Sequence, residues 1–264
     1  SAASDVYKRQ GIFSAFPFAL LCQLFFDVGI NLVLNPFYCI LRMYSLAIYF
    51  MMLGCNVAAL FSKKIRTMMR GHRDTWRILR RHIGSDRYVW FHAASLGEFE
   101  QGRPLMERLR REHPEKKILL TFFSPSGYEV RKNYAGADVV CYLPFDTPFN
   151  ALKFVRMARP EEAYFIKYEF WRNYIEVLHR NGIPVYSVSS IFRPGQMFFR
   201  WYGRGYARVL HRMTHLYVQN EESLRLLQSI GVTQVSVVGD TRFDRVIDIR
   251  LAAKPLPLIE RFAG

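Results

Sequence analysis

Residues 88–100 of the chain read Tyr88-Val-Trp-Phe-His-Ala-Ala-Ser-Leu-Gly-Glu-Phe-Glu100, and this stretch decides the fold. Its first five residues form an apolar and aromatic run, which is typical of a buried strand. Small residues follow at once, and a helical pattern then begins, with Leu105, Met106 and Leu109 on one face. The stretch therefore predicts a strand, a tight loop and the N-terminus of a helix, with Glu98 at the turn.

Two roles for Glu98 follow from this position. In an open α/β sheet, ligands bind in the crevice at the carboxyl ends of the strands. A carboxylate there can take a proton from a substrate hydroxyl. An acidic residue in a first helical turn also stabilises the helix by itself, and on spacing alone this capping role is the commoner one.

Strand and helix patterns alternate after Tyr88, which predicts a Rossmann-like α/β fold, a parallel sheet with helices on both faces. The predicted strands are residues 88–92, 118–123, 137–143, 163–166, 185–189, 216–219 and 235–238. The predicted helices after the first include 150–157, 171–181, 196–213 and 221–230. Gly182 is the predicted C-cap of the second of these helices.

The N-terminal part has a different character. Residues 1–10 resemble translated adapter sequence and 11–42 are apolar but interrupted, so we interpret 1–42 as artefact or upstream read-through, with translation starting at Met43. Residues 43–61 are uncharged and long enough to cross a hydrocarbon core, and a basic run follows. Residues 43–82 therefore predict a single membrane anchor with a cytoplasmic basic flank. A buried core helix and a span lying in the interface are the alternatives.

The composition narrows the range of partners and cofactors. Half of the 264 residues are hydrophobic, which excludes global disorder, and the net charge of +15 favours anionic partners. The four cysteines lack C-x-x-C spacing and the histidines lack ligand spacing, so we expect no metal site. Aromatic residues interleave with arginines at 193–208, a pattern that suits either single-stranded nucleic acid or acyl chains and phosphates at a membrane surface. The preceding apolar span favours the membrane.

Three predicted strand ends, at 94–97, 124–127 and 187–190, are rich in small and hydroxyl residues. Backbone N–H groups at helix N-termini bind phosphates, so these loops are candidate anion sites. Each serine taken singly fits the role of a helix N-cap equally well. The predicted binding residues from this pattern are Ser95, Gly97, Ser124, Ser126 and Gly127.

The loop His92-Ala-Ala-Ser-Leu-Gly-Glu98 resembles the signature loop of the Kdo transferases, which add 3-deoxy-D-manno-octulosonic acid (Kdo) to a lipid A precursor. The resemblance implies that Glu98 is the catalytic base. Further similar blocks lie at 121–127, 142–146, 169–173 and 239–244.

Two of the other blocks imply further acceptor-binding residues. Residues 167–173 resemble Glu-x-Glu-Leu-Trp-Pro-Asn, with Glu169, Trp171 and Asn173 matching and Lys167 and Arg172 departing. This block makes Glu169 and Asn173 acceptor-binding candidates. Glu169 would bind acceptor hydroxyls or orient the loop of Glu98; the alternative is an acid at a helix start beside a packed tryptophan. Residues 189–193 occupy the place of Asn-Ala-Arg-Leu-Ser, and their displaced arginine, Arg193, is the last acceptor-binding candidate.

The resemblance further implies a two-domain glycosyltransferase of the GT-B type. Residues 83–250 would be its N-terminal acceptor domain and 251–264 the start of the linker, with the donor domain missing and this fragment inactive alone. The whole enzyme would transfer Kdo from CMP-Kdo to a lipid A precursor, inverting and without metal or cofactor, on the cytoplasmic face of the bacterial inner membrane. The rivals are a non-catalytic membrane-anchored binding module, a GT-B transferase for another lipid-linked sugar, and a nucleic-acid-binding protein, which leaves the apolar segment unexplained.

Overall fold

The computed structural model describes residues 36–243, with side chains described from Met43. It divides into two compact units, Ser1–Ala47 and Ile48–Gly264. Of the first unit only the beginning of helix α1 (Pro36–Phe61) is described, and the fold below is that of the second. Helix α1 begins upstream of Met43, where the sequence predicted no clean helix, and proline is well suited to a first helical turn. The predictions for residues 1–35 and 244–264 lie outside the described residues.

The described residues form one sheet of seven parallel strands. The strands are β1 (Tyr88–Ala93), β2 (Lys117–Phe122), β3 (Val139–Tyr142), β4 (Pro160–Ile166), β5 (Val185–Ser190), β6 (His215–Val218) and β7 (Val235–Val237). Their order is β3-β2-β1-β4-β5-β6-β7. This order confirms the predicted Rossmann-like sheet, and it reverses direction between β1 and β4, where such sheets bind ligands.

Helices connect the strands. They are α2 (Lys63–His82), α3 (Leu96–Glu112), α4 (Pro125–Arg131), α5 (Pro148–Ala158), α6 (Arg172–Arg180), α7 (Arg204–His211) and α8 (Glu221–Ser229). Gly182 follows α6 with a φ of 65°, which confirms its predicted place at the helix end.

The predicted helix at 196–213 is wrong over its first half. The structure has two short 3₁₀ turns there, Met197–Phe199 and Trp201–Gly203, before α7 begins. A Cβ on Gly203 would lie 1.7 Å from the carbonyl oxygen of Met197, so the chain folds back on itself too closely for a regular helix. Trp201 is 81% exposed as a result.

The core lies on both faces of the sheet. Trp90 and Leu119 belong to one buried cluster, and the next residue of each strand, Phe91 and Leu120, belongs to the other. Side chains alternate between the faces of a strand, so both faces of β1 and β2 are covered. This double burial explains why β1 reads as a continuous apolar run rather than as an alternating one.

Helix α2 carries the basic flank and packs on the sheet. Its buried side chains are Met69, His72, Thr75 and Leu79, which recur on one helical face. The hydroxyl of Thr75 donates to the carbonyl of Tyr142 at 2.7 Å, which joins the helix to the end of β3. The arginines of α2 largely occupy the remaining faces, so the predicted basic run is a solvated helix surface.

Residues Met43–Phe61 of α1 form a span of 19 residues with a mean hydropathy of 1.7. Only 6% of the most apolar stretch is buried, whereas the core helix of a soluble protein would be mostly buried. Among the described helices it is the one long and apolar enough to cross a membrane. At its C-terminal end, the guanidinium of Arg66 donates to the carbonyls of Ala59 (2.9 Å) and Leu60 (2.8 Å), which satisfies two free helix-end carbonyls.

Candidate active site

The candidate site lies where the loops after β1 and β4 meet. These strands pair in parallel, with His92 opposite Phe165, so both chains leave the sheet side by side. The β1 loop leads through Ser95 into α3, and Glu98 lies in the first turn of that helix. The β4 loop carries Glu169 and leads into α6. The sequence-predicted base and the predicted second carboxylate therefore come from neighbouring strands at the switch point of the sheet.

Glu98 is half-buried and held by its own helix start. The backbone N–H of Ser95 donates to its Oε2 at 2.9 Å, so the predicted capping role is real. Burial raises the pKa of Glu98, and the negative charge of Glu169 raises that pKa further, while His92 and the hydrogen bonds from Ser95 lower it. A carboxylate whose pKa is raised toward neutral pH is a better general base, so capping and catalysis are compatible in this residue.

Glu169 is held by two aromatic residues. The indole Nε1–H of Trp171 lies 2.6 Å from Glu169 Oε2 and 3.1 Å from Nε2 of His92, and the two acceptor atoms lie 3.4 Å apart. His92 is fully buried at the end of β1, and its Nδ1 lies 2.9 Å from the hydroxyl of Thr121 on β2. Three neighbouring strands thus fix one carboxylate, whose side chain keeps 12% exposure.

The backbone beside this network is strained. Lys167, directly after β4, has a φ of 68°, and Ser189, in β5, has a φ of 60°. Such left-handed conformations of non-glycine residues persist where the surroundings hold them, and they concentrate at functional sites. Here the carbonyl of Lys167 accepts a hydrogen bond from the hydroxyl of Ser190, and Gln219 donates to the carbonyl of Ser189.

The loop after β2 joins the same edge. The backbone N–H of Ser124 donates to the carbonyl of Ala94 at 2.8 Å, which ties this loop to the loop of Glu98. The hydroxyls of Ser124 and Ser126 lie 2.7 Å apart at the start of α4. With Ser95 and the exposed Gly97 at the start of α3, four of the predicted binding residues lie on two linked loops.

Two other predicted binding residues have structural contacts instead. A Cβ on the buried Gly127 would lie 2.2 Å from the ring of Phe122, so this glycine is required for packing. The buried Asn173 makes two hydrogen bonds to Asp146. The backbone N–H of Asn173 donates to Asp146 Oδ2 at 3.0 Å, and the side-chain amide of Asn173 donates to the Asp146 carbonyl. These contacts give both residues a structural role, and their binding of acceptor stays a prediction.

The third predicted anion loop, 187–190, lacks the helix start that the prediction of an anion site assumed. Ser187 and Ser190 are buried inside β5 and hydrogen-bond to each other, and the strand leads into a loop without a helix start. Arg193 lies exposed in that loop, one strand further from Glu98 than Glu169 is.

Sequence reasoning did not foresee the role of Asp146. Its carboxylate accepts from the backbone N–H groups of Asn173 and Tyr174, each at 3.0 Å, and so caps α6 from a distant loop. Its complete burial in an otherwise aromatic segment is the signal that a polar partner must exist. Among residues 43–243 no group of three metal-ligating side chains occurs.

Known proteins similar to the chain point to one family. The family model described as "3-Deoxy-D-manno-octulosonic-acid transferase (kdotransferase)" matches residues 67–245. The 3-deoxy-D-manno-octulosonic acid transferase of Aquifex aeolicus is 38% identical over 156 residues, which are 59% of this chain and 40% of that protein. The transferase of Haemophilus influenzae is 33% identical over 97 residues, 36% of this chain and 23% of that protein. The chain thus spans about two-fifths or less of these curated relatives.

Solved structures resemble the chain more distantly. The UDP-GlcNAc 2-epimerase from Neisseria meningitidis superposes with a TM-score of 0.48 at 14% sequence identity, covering 66% of this chain and 52% of that one.

Proposed function

The chain belongs to the 3-deoxy-D-manno-octulosonic acid transferase family, and from that membership we propose that the protein transfers Kdo from CMP-Kdo to a lipid A precursor. The observation that carries the proposal is the position of Glu98. Its carboxylate lies at the switch point of the sheet, half-buried, with a pKa raised by burial and by Glu169. That is the place and the electrostatic setting of a general base.

In the proposed reaction Glu98 takes the proton of an acceptor hydroxyl. The hydroxyl oxygen then forms a bond to the anomeric carbon of Kdo as the bond from that carbon to the CMP phosphate breaks. CMP leaves with the electron pair of that bond, and the proton remains on Glu98 until solvent removes it. Attack opposite the leaving group inverts the anomeric centre, and this step needs neither a metal nor a cofactor.

The acceptor is proposed to bind along the loops after β1 and β2. The backbone N–H of Ser95 is used by Glu98, so a phosphate group of the acceptor would bind to the hydroxyl of Ser95 and to the N–H groups that follow it in the first turn of α3, such as that of Gly97. The hydroxyls of Ser124 and Ser126 would contact sugar hydroxyls, from a loop that the Ser124–Ala94 hydrogen bond ties to the loop of Glu98. Arg193 would contribute positive charge from the loop after β5.

The protein is proposed to lie at the bacterial inner membrane, with its domain on the cytoplasmic face. The exposed apolar span Met43–Phe61 and the basic helix α2 directly after it support this. The positive surface would attract anionic lipid and the phosphorylated acceptor, while nucleic acid is not among the proposed partners. A spanning anchor predicts that the protein stays in membranes washed with high salt or alkaline carbonate and leaves them only with detergent. Release by salt alone would contradict it.

A non-catalytic, membrane-anchored acceptor-binding module is the second candidate. Such a module would bind the acceptor at the same loops without transferring a sugar, and the exposed apolar span next to the basic helix α2 would hold it at the membrane. A GT-B transferase acting on another lipid-linked sugar is the remaining alternative, since the fold does not fix the sugar.

One experiment separates these candidates. The protein is expressed from a reading frame as long as those of the relatives. It is incubated with a lipid A precursor and either CMP-Kdo or another nucleotide sugar, and the lipid product is analysed by mass spectrometry. The proposal predicts a product heavier by one or more Kdo units, with CMP released in equal amount. Acceptor binding without any product would favour the binding module, and a product from another donor only would favour the other transferase.

A further inference from the structure

We propose that His92, in its Nδ1–H tautomer, acts through Trp171 as a positioning residue that holds Glu169 beside the proposed base Glu98. The proposal rests on the function proposed above for Glu98, but its first step, the tautomer, follows from hydrogen-bond accounting alone. His92 touches no part of the open crevice, because it is fully buried. It is therefore a positioning residue and not a catalytic one.

The hydroxyl of Thr121 is placed to accept a hydrogen bond from Nδ1 of His92. A hydroxyl offers one hydrogen and two acceptor positions. The indole N–H of Trp90 donates to Thr121 Oγ1 at 2.8 Å, and Thr121 donates its hydrogen to the Phe91 carbonyl at 3.3 Å. The acceptor position that remains faces Nδ1 of His92 at 2.9 Å. With this arrangement Nδ1 donates to Thr121 and Nε2 carries a lone pair, which is what the donor-only indole N–H of Trp171 at 3.1 Å from Nε2 requires.

The lone pair on Nε2 accepts a hydrogen bond from the indole N–H of Trp171. The indole nitrogen is a donor only, and it lies 3.1 Å from Nε2. The opposite tautomer would turn two N–H hydrogens toward each other at that distance. In the Nδ1–H tautomer the single indole hydrogen lies between two acceptors, Nε2 of His92 and Oε2 of Glu169. Each contact in the network then joins a donor to an acceptor.

Glu169 in turn acts on Glu98 by its charge. The titratable groups that face Glu98 are Glu169, which raises its pKa, and His92, which lowers it. Without the Trp171 N–H, Nε2 and Oε2 would face each other at 3.4 Å as two lone pairs, and Glu169 would move away. The indole hydrogen thus keeps a negative charge next to the base, which makes the base stronger.

The tautomer is tested on the chain itself, with no reaction required. In ¹⁵N-histidine NMR of the detergent-solubilised protein, the ring hydrogen of His92 is expected on Nδ1. Trp171→Phe is expected to shift the Nε2 resonance, while Trp201→Phe, at an exposed tryptophan, is expected to leave it unchanged. A hydrogen on Nε2 in the wild-type protein would overturn the proposal, and this result would leave the proposed transferase function standing.

The positioning role is tested by pH profiles of kcat/KM, measured on protein expressed from a reading frame as long as those of the relatives. Glu169→Gln removes the negative charge, so the acidic limb is expected to move to lower pH. Trp171→Phe keeps an aromatic side chain, although a smaller one, and removes the indole N–H, and its acidic limb is expected to move in the same direction, with kcat falling by up to about 10²-fold. The double variant is expected to shift no further than Glu169→Gln alone.

Two outcomes would overturn the positioning role. One is a Trp171→Phe profile whose limb stays in place while that of Glu169→Gln moves, since a purely structural loss lowers kcat without moving the limb. The other is additive shifts in the double variant, which would mean that the two residues act independently. Thermal unfolding of each variant checks that the fold is retained. An inactive wild-type protein would refute the proposed function instead, and the NMR result would still decide the tautomer.

Discussion

Glu98 and Glu169 follow neighbouring parallel strands, and the negative charge of Glu169 adds to burial in raising the pKa of Glu98. A second carboxylate at one crevice opposes ionisation of the first, because like charges repel. The arrangement gives a carboxylate that holds a proton more strongly than an exposed glutamate does. It also has a cost in stability that can be measured without any substrate.

Glu98→Gln is expected to stabilise the fold at neutral pH. The pKa of Glu98 is raised in the folded protein above its ordinary value of 4.5. The stability that this proton contributes is fully present below the unfolded pKa and is lost as the pH rises through the folded pKa. Glutamine is neutral at every pH and avoids that loss. Thermal unfolding should therefore show a higher Tm for Glu98→Gln than for wild type at pH 7–8, with the difference vanishing below about pH 4.

The control for this measurement is Glu112→Gln, at the exposed end of the same helix. It removes one negative charge where no burial opposes ionisation. A Tm for Glu98→Gln at or below that of wild type at neutral pH would show that the buried setting of Glu98 does not oppose its charge.

Gly127 and Gly97 are expected to respond differently to alanine. A Cβ at Gly127 meets the Phe122 ring at 2.2 Å, whereas a Cβ at Gly97 meets nothing within 4 Å. Gly127→Ala should therefore destabilise the fold by about 1–3 kcal/mol, the usual cost of overpacking. Gly97→Ala should keep or raise stability by about 0.5–1 kcal/mol, because alanine favours the helix. Urea unfolding measures both, and equal losses in the two variants would contradict this packing role.

His72 is expected to make the fold sensitive to acid. Burial lowers its pKa from 6.5 to about 4, so the unfolded chain binds a proton in a range where the folded protein does not. Its contribution to stability is present above pH 6.5 and is lost as the pH falls toward 4, up to about 3 kcal/mol in all. In His72→Gln the free energy of unfolding should depend less on pH between 6.5 and 4 than it does in the wild-type protein. The exposed His113→Gln serves as the control and should leave the slope as in wild type.

Asp146 is expected to be essential for the start of α6. Its carboxylate accepts the backbone N–H groups of Asn173 and Tyr174 inside the core. Asp146→Ala leaves these donors without that partner, at a cost of about 1–3 kcal/mol for each buried group. Urea unfolding should show a loss of about 2–6 kcal/mol for the two donors together, larger than for Asp74→Ala on the half-exposed surface of α2. A neutral effect would contradict the capping role.

The sequence predicted what local patterns determine. Each of the seven strands lies within a few residues of its expected position, because runs such as that of β1 report burial directly. The helix expected at 196–213 was wrong because its apolar residues suit a helix while the close approach of Gly203 to Met197 forbids one. No local pattern reveals that approach.

The sequence predicts which loops form the candidate site, but it does not predict the side-chain contacts between them. Resemblance identified Glu98 and Glu169, and the strand order brought their loops together. The Trp171–His92 hydrogen bond joins residues 79 positions apart, and the Asp146–Asn173 contact joins two distant loops. Such contacts are set by the packing of several strands at once. For the same reason the structural contacts of Asn173 and Gly127 are not visible in the sequence.

The most direct test of the central claim is the rate of Kdo transfer by Glu98→Gln. The wild-type protein, Glu98→Gln and Glu112→Gln are each expressed from a reading frame as long as those of the relatives. CMP release is followed for each, and acceptor binding is measured separately. Loss of a general base should lower the rate of Glu98→Gln by about 10²–10⁴-fold with acceptor binding retained, while Glu112→Gln stays near wild type. Near-normal transfer by Glu98→Gln would contradict the account.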